Sequence, residues 1–191
     1  MDVKEAIFGR RSIRKYLDEP VSDEDIKFCI DAALAAPSNI NLQPWYFVVI
    51  KSEGNFIKLN QIMGRIFERF KPVLENRFAK NPETIEETKS FLNSMGGAKI
   101  AVLVFLLKPD FEDISSVTQS TSAAIENFCL AAYSRGLGTC WMTALERAGL
   151  AGEIRETFAP DKGKFIAMIT LGYPAANPKM PPRRDGRYTI I

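Results

Sequence analysis

Two stretches near the front of the chain hold residue types that can do chemistry. The first, Arg10-Arg11-Ser12-Ile13-Arg14-Lys15-Tyr16, sets cations and a hydroxyl side by side. A phosphate monoester carries nearly two negative charges; guanidinium groups answer it with bidentate hydrogen bonds, and a serine hydroxyl serves a further oxygen. Arg10, Ser12 and Arg14 alternate, so an extended segment projects them from one side as an anion cradle. Taken alone, the same cations could equally cap the C-terminus of a preceding helix. The second stretch, Ala36-Pro37-Ser38-Asn39-Ile40-Asn41-Leu42-Gln43-Pro44-Trp45, offers amides and a hydroxyl between two prolines. Asn and Gln amides match either kind of group on a heteroaromatic ring edge, and the prolines cut the entropy lost when a ligand docks. Ser38-Asn39 by itself reads as a turn; the whole string is a less ordinary turn.

What the chain lacks narrows the chemistry further. It has no histidine, so within one chain a Ser-His-Asp triad, a Cys-His pair, an HExxH helix and a zinc deaminase site are all excluded. Cys29, Cys129 and Cys140 are odd in number and lack CxxC spacing, which points to buried reduced thiols and to no metal site. Without an imidazole of its own, an enzyme needs a cofactor to carry the reaction, and hydride chemistry on such a cofactor asks little of side-chain acids and bases. Gly136-Leu137-Gly138 lacks a third glycine and follows a helical pattern, so no dinucleotide fingerprint is present.

The elements that must position these residues alternate between helix and strand. Val3 to Phe8 reads as a short helix, and Ser22 as the N-cap of a second one whose apolar residues, Ile26 through Leu34, recur until Pro37. Trp45 to Lys51 is a strand. Asn55 to Met95 is helical but looser, with breaks expected at Gly64, Pro72 and Pro82. Lys99 to Leu107 is a strand buried on both faces, Ser115 to Arg135 a long helix of small residues, Thr139 to Ala144 a short strand, Glu146 to Phe158 a helix, and Phe165 to Leu171 a buried strand. No linker divides residues 1–191, so one domain is expected, with 173–191 as a Pro-rich extended arm ending in the apolar Tyr188-Thr189-Ile190-Ile191. That tail is expected to add to a sheet, a neighbour's included.

Composition fits this picture. With 46% apolar and 25% charged residues the chain can build an ordinary core, and a net charge of +2 leaves no broad footprint for nucleic acid. The opening Met1-Asp2-Val3-Lys4-Glu5 has no apolar signal region, and the apolar run from Ile100 to Leu107 is too short to cross a bilayer, so a cytoplasmic location is expected.

In order and approximate spacing, R-R-S-x-R-x-Y, A-P-S-x-x-N-x-Q-P-W-x-F, G-L-G-T-x-W, L-G-Y-P and a basic C-terminal segment resemble the nitroreductase family, from Arg10 to Arg184. The resemblance implies an α+β fold with a mixed central sheet flanked by helices, in an intertwined homodimer that binds two FMN molecules at its interface. It implies FMN contacts from Arg10, Arg11, Ser12 and Arg14 on the phosphate, ribityl and N1/O2 side. Pro37, Ser38, Asn39, Asn41 and Gln43 would come from the other subunit. Main-chain donors at Met142, Thr143 and Ala144 would face N5 and O4, and Arg183 or Arg184 would complete the phosphate site. Asn93 is the candidate from the middle region for the ring edge; Phe67, Phe70, Phe78 and Phe91 are candidates for the substrate pocket. The implied reaction is ping-pong: hydride from NADH or NADPH to the flavin, then to a nitroaromatic, quinone or similar acceptor. Relatives that dehalogenate aromatics or fragment the flavin, and a flavin storage or sensor module without turnover, are alternatives on the same residues. NAD(P)H consumption separates catalyst from carrier.

Overall fold

A computed structural model describes residues 1–107 and 113–191. Helix α1, Val3–Gly9, starts at a capping box in which Asp2 accepts from the Glu5 amide at 2.8 Å while Glu5 accepts from the Asp2 amide at 3.1 Å. Helix α2, Asp23–Leu34, starts at Ser22, whose hydroxyl accepts from the Asp25 amide at 3.0 Å. Strand β1, Trp45–Ile50, is followed by helices α3, Glu53–Arg77, and α4, Pro82–Ser94. Strand β2, Ile100–Leu106, leads to the long helix α5, Ile114–Ser134. Strand β3, Gly138–Met142, short helices α6, Ala144–Arg147, and α7, Ala151–Phe158, and strand β4, Phe165–Gly172, complete the regular structure.

The strands form one sheet in the order β1-β2-β4-β3, with every ladder antiparallel. A parallel component enters only through a single bridge from Ser12 to Thr139, so the mixed character expected of the sheet is confined, among the described residues, to that contact. Strand β2 is apolar at every position because both of its faces are covered. Ala101, Leu103 and Phe105 face a core shared with α3, α4 and α7; Ile100, Val102 and Val104 face one shared with α2 and α5. Burying a large aliphatic or aromatic side chain of this kind contributes about 1.5–3 kcal/mol. The small residues of α5, such as Ala124 and Ala132, let it lie close against α2.

Three boundaries differ from the sequence expectation. Helix α3 runs unbroken through Gly64 and Pro72, because Leu59, Ile62, Met63, Ile66 and Phe67 bury a continuous stripe and Pro72 sits on an exposed face. The break falls at Asn81, with Pro82 opening α4. The single helix expected over Glu146 to Phe158 is two, divided at Gly149, whose φ of +67 ends the first. Residues 173–191 carry no helix and no ladder; Tyr188, Ile190 and Ile191 are exposed. No helix among the described residues is long and apolar enough to cross a membrane.

Candidate functional site

The cationic segment is fixed by its backbone. Ile13 donates to the Thr139 carbonyl at 2.8 Å, Tyr16 to Gly96 at 2.9 Å and Leu17 to Tyr173 at 2.9 Å, while Lys15 accepts from the Ala175 amide at 2.9 Å. The segment therefore laces together the ends of β3 and β4 and the turn before β2. Ile13 and Tyr16 are both buried, and the Tyr16 hydroxyl donates to the Ile13 carbonyl at 2.8 Å and pairs with Thr170 Oγ1 at 2.7 Å. Burial pushes that hydroxyl well above the usual tyrosine range, so it stays neutral and keeps its proton for the hydrogen bond.

Close approach depends on glycine here. A Cβ on Gly96 would overlap the Arg14 carbonyl oxygen, and one on Gly138 would lie 2.6 Å from Ile13 Cγ1. Gly96 also has φ of +67, a conformation that costs a residue with a Cβ.

Ile13 is buried between half-buried Ser12 and exposed Arg14, and the two-residue alternation lapses beyond Arg14, where Lys15 is exposed and Tyr16 buried. Arg10 and Arg14 nonetheless line different cavities. Arg10 and Arg11 border one of about 500 Å³, with Gly138, Thr139 and Pro174. Arg14 and Lys15 border one of about 870 Å³, with Phe78, Phe91, Ser94 and Gly96. Ser12 stands between the two arginines, half-buried, its backbone bridged to Thr139.

The three arginines differ in what they touch. Arg10 Nε donates to Glu126 Oε1 at 3.1 Å, and among the described residues its terminal amino groups make no hydrogen bond. Arg11 turns back to α1, its Nη1 donating to the Phe8 carbonyl at 2.8 Å and the Arg10 carbonyl at 2.7 Å, which is the helix-capping role open to it from sequence. Its Nε is buried without a partner. Arg14 is exposed, its Nη1 3.5 Å from the Ser12 carbonyl.

The amide loop is a compact, self-bonded turn. Ser38 Oγ accepts from the Gln43 amide at 3.0 Å, Gln43 Nε2 donates to Asn41 Oδ1 at 3.0 Å, and the Asn39 amide donates to Ser120 Oγ on α5 at 3.2 Å. Ile40, Asn41 and Gln43 all have positive φ, at 42°, 58° and 45°. For β-branched Ile40, 84% exposed, that backbone is strained with nothing among the described residues to cover its side chain. Pro37 is exposed beside it. This loop lines neither of the two cavities.

Strand β3 ends at buried Met142, and the chain turns at exposed Thr143 into α6, leaving early amides of a helical turn at Thr143 and Ala144. Arg183 and Arg184 are exposed on the arm and make no ion pair among the described residues. Only the base of the arm, Pro174 to Asn177, reaches the Arg10 cavity. Of the middle-region candidates, Asn93 is exposed on α4. Phe67 is buried in the core, where Lys89 Nζ stands 5.4 Å from its ring, and Phe70 lies under Arg147; neither lines the Arg14 cavity, whereas Phe78 and Phe91 do.

Three further residues bear on the site. Ser120 anchors the amide loop, Gly96 receives the cationic segment, and Glu126 holds Arg10. Glu126 is the one charged side chain within Ile114–Ser134, a signal visible in the sequence, although its partner, more than a hundred residues away, is not.

The nitroreductase family model matches residues 7–173. Among curated proteins, the chain is 33% identical over 180 residues to one named NADH dehydrogenase/NAD(P)H nitroreductase from Methanothermobacter thermautotrophicus, covering 93% of this chain and 80% of that one. It is 29% identical to an NADPH-flavin oxidoreductase of Vibrio harveyi, over 97% of this chain and 71% of the relative. Among solved structures it is similar to a BluB-like flavoprotein from Clostridium difficile, with TM-score 0.77, 29% identity and coverage of 100% and 99% of the two chains. A structure named as a nitroreductase in complex with FMN, from Desulfovibrio desulfuricans, matches with TM-score 0.74 and 28% identity, covering 97% of this chain and 93% of that one. With the family model spanning the cationic segment, the amide loop and every strand of the sheet, the chain belongs to the nitroreductase family.

Proposed function

We propose that this chain is an FMN-dependent oxidoreductase that takes hydride from NADH or NADPH and passes it to a nitroaromatic, quinone or similar electron acceptor in two half-reactions. The observation that carries the reading is the pinned cationic segment, which holds Arg10 and Arg14 on one short backbone stretch, each bordering a cavity. The donor set suits the cofactor. Arg10's terminal amino groups, without a hydrogen-bond partner among the described residues, match a phosphate dianion. Arg14 stands at the edge of a larger cavity with aromatic lining, suited to a flat ring. Names of relatives point the same way: NAD(P)H nitroreductase and NADPH-flavin oxidoreductase among curated proteins, and bound FMN in a similar structure.

In this reading Arg10 and Ser12 bind the phosphate and ribityl end, and Arg14 holds positive charge against the ring's pyrimidine edge. The Thr143 and Ala144 amides serve as main-chain donors, and Arg183 or Arg184 of the arm closes the phosphate site. Bound there, FMN supplies the two-electron chemistry that the side chains of a histidine-free protein lack. A guanidinium held at that edge by the bound ring would favour the reduced, more anionic state. Asn39, Asn41 and Gln43, on a loop away from both cavities, serve a partner subunit's site in a homodimer. The exposed Ile40 and the uncovered apolar tail support that assembly.

The test is spectroscopic. Purified protein should retain or take up FMN and bleach on addition of NADH or NADPH, with colour restored by a nitroaromatic or quinone. Arg14→Ala is expected to weaken FMN binding or slow its reduction by roughly 10-fold or more, the scale of one charge-assisted hydrogen bond. A monomer that takes up no FMN would overturn the reading.

A further inference from the structure

We propose that Glu126 is a positioning residue for phosphate recognition, orienting Arg10 by taking its Nε–H; the inference rests on the FMN reading above. The geometry begins with Gly9. A Cβ there would overlap the Tyr133 side chain, so the end of α1 lies directly against α5. Tyr133 and Glu126 are seven residues apart and share one side of α5. Arg10, the next residue after Gly9, closes α1 through its amide to the Ala6 carbonyl at 3.0 Å, which sets its Cα beside that stripe. Its Nε then donates to Glu126 Oε1 at 3.1 Å.

A guanidinium is planar, so fixing Nε fixes the direction of the two terminal amino groups. Those groups make no hydrogen bond among the described residues, and Arg10 borders the cavity formed with Gly138 and Thr139. The pair is half-exposed, the two side chains being 27% and 42% accessible, and ion pairs in such surroundings add little to stability. Its use is directional: a long, flexible side chain is ordered before the ligand arrives, which removes part of the entropy cost of binding. A carboxylate near a phosphate site would otherwise repel its ligand, so the arrangement is favourable only when orientation outweighs repulsion.

That balance can be measured without turnover. Equilibrium titrations of the full-length protein with FMN and with riboflavin, which lacks the phosphate, give an FMN preference as a ratio of dissociation constants. Glu126→Asp keeps the charge but withdraws the acceptor; Glu126→Gln keeps an acceptor in place and removes the charge. We expect the preference to fall about 10-fold in Glu126→Asp and in Glu126→Ala, and to hold in Glu126→Gln, with riboflavin affinity unchanged throughout. A generally structural role would move both ligands together. If Glu126→Ala fails to fold, the Asp and Gln pair decides. An unchanged or increased FMN preference in Glu126→Asp, or equal losses for both ligands, overturns the assignment while leaving the flavin reading intact. Wild-type protein that binds neither ligand overturns the flavin reading itself.

Discussion

Substituting Gly96 by alanine strikes the point where the cationic segment meets the sheet. At φ of +67 a residue with a Cβ is strained by about 1–2 kcal/mol. The new methyl would also overlap the Arg14 carbonyl, and backing away stretches the 2.9 Å hydrogen bond from the Tyr16 amide to the Gly96 carbonyl. Loss of such a bond costs about 1–2 kcal/mol more. The sum, about 2–4 kcal/mol, corresponds to a fall of roughly 5–15 °C in midpoint for a chain of this size. Thermal unfolding followed by circular dichroism, at matched protein concentration, reads it directly. The control is Gly152→Ala in α7, which has nothing within 4 Å of a new Cβ; alanine there is expected to leave stability unchanged or raise it by the usual ~0.5–1 kcal/mol. If Gly96→Ala melts within about 2 °C of wild type, the close-approach reasoning is wrong.

Other expectations concern pH and loop strain. Burial pushes the Cys29 and Cys129 thiols up to about 12 from 9.0, so the folded state keeps them protonated where the unfolded chain ionises them. Their contribution is whole below about pH 9 and is lost as pH rises towards 12. Each thiol replaced by alanine should flatten the alkaline decline in unfolding free energy by about 1.4 kcal/mol per pH unit, measured by urea titration near pH 10; an unchanged slope would sink the idea. In the amide loop, Ile40→Asn should relieve the strain of φ at 42° and raise monomer stability by about 0.5–1 kcal/mol, since Asn enters that region readily. A loss of stability at protein concentrations too low for dimers would refute this.

Much of the architecture was legible because it rests on local pattern. The Ile100–Leu106 run could only be a strand covered on both faces, and Ser22 with its trailing acids could only open a helix. The ring of Pro72 costs the helix one hydrogen bond, while half-buried Phe70 and Leu74 continue the Leu59-to-Phe67 stripe on either side of it and hold the helix through. Of the two glycines in Glu146 to Phe158, Gly149 takes a left-handed turn and Gly152 stays helical, a difference that residue type does not mark. For the candidate site, residue types were readable and their geometry was not. Even spacing puts Arg10 and Arg14 on one side, whereas in the fold they border separate cavities. The Glu126 contact joins residues 116 positions apart, beyond the reach of any periodicity.

The lacing of Ile13, Tyr16 and Leu17 to β3, to the turn before β2 and to the residue just past β4 also governs how the molecule opens. Amides held at several distant points cannot exchange their hydrogens by fraying one end; they wait for the whole cooperative unit to come apart. On the proposed reading, a cofactor gripped by this segment would therefore leave through motions of the surrounding helices and arm, while the backbone that carries Arg10 and Arg14 stays in place.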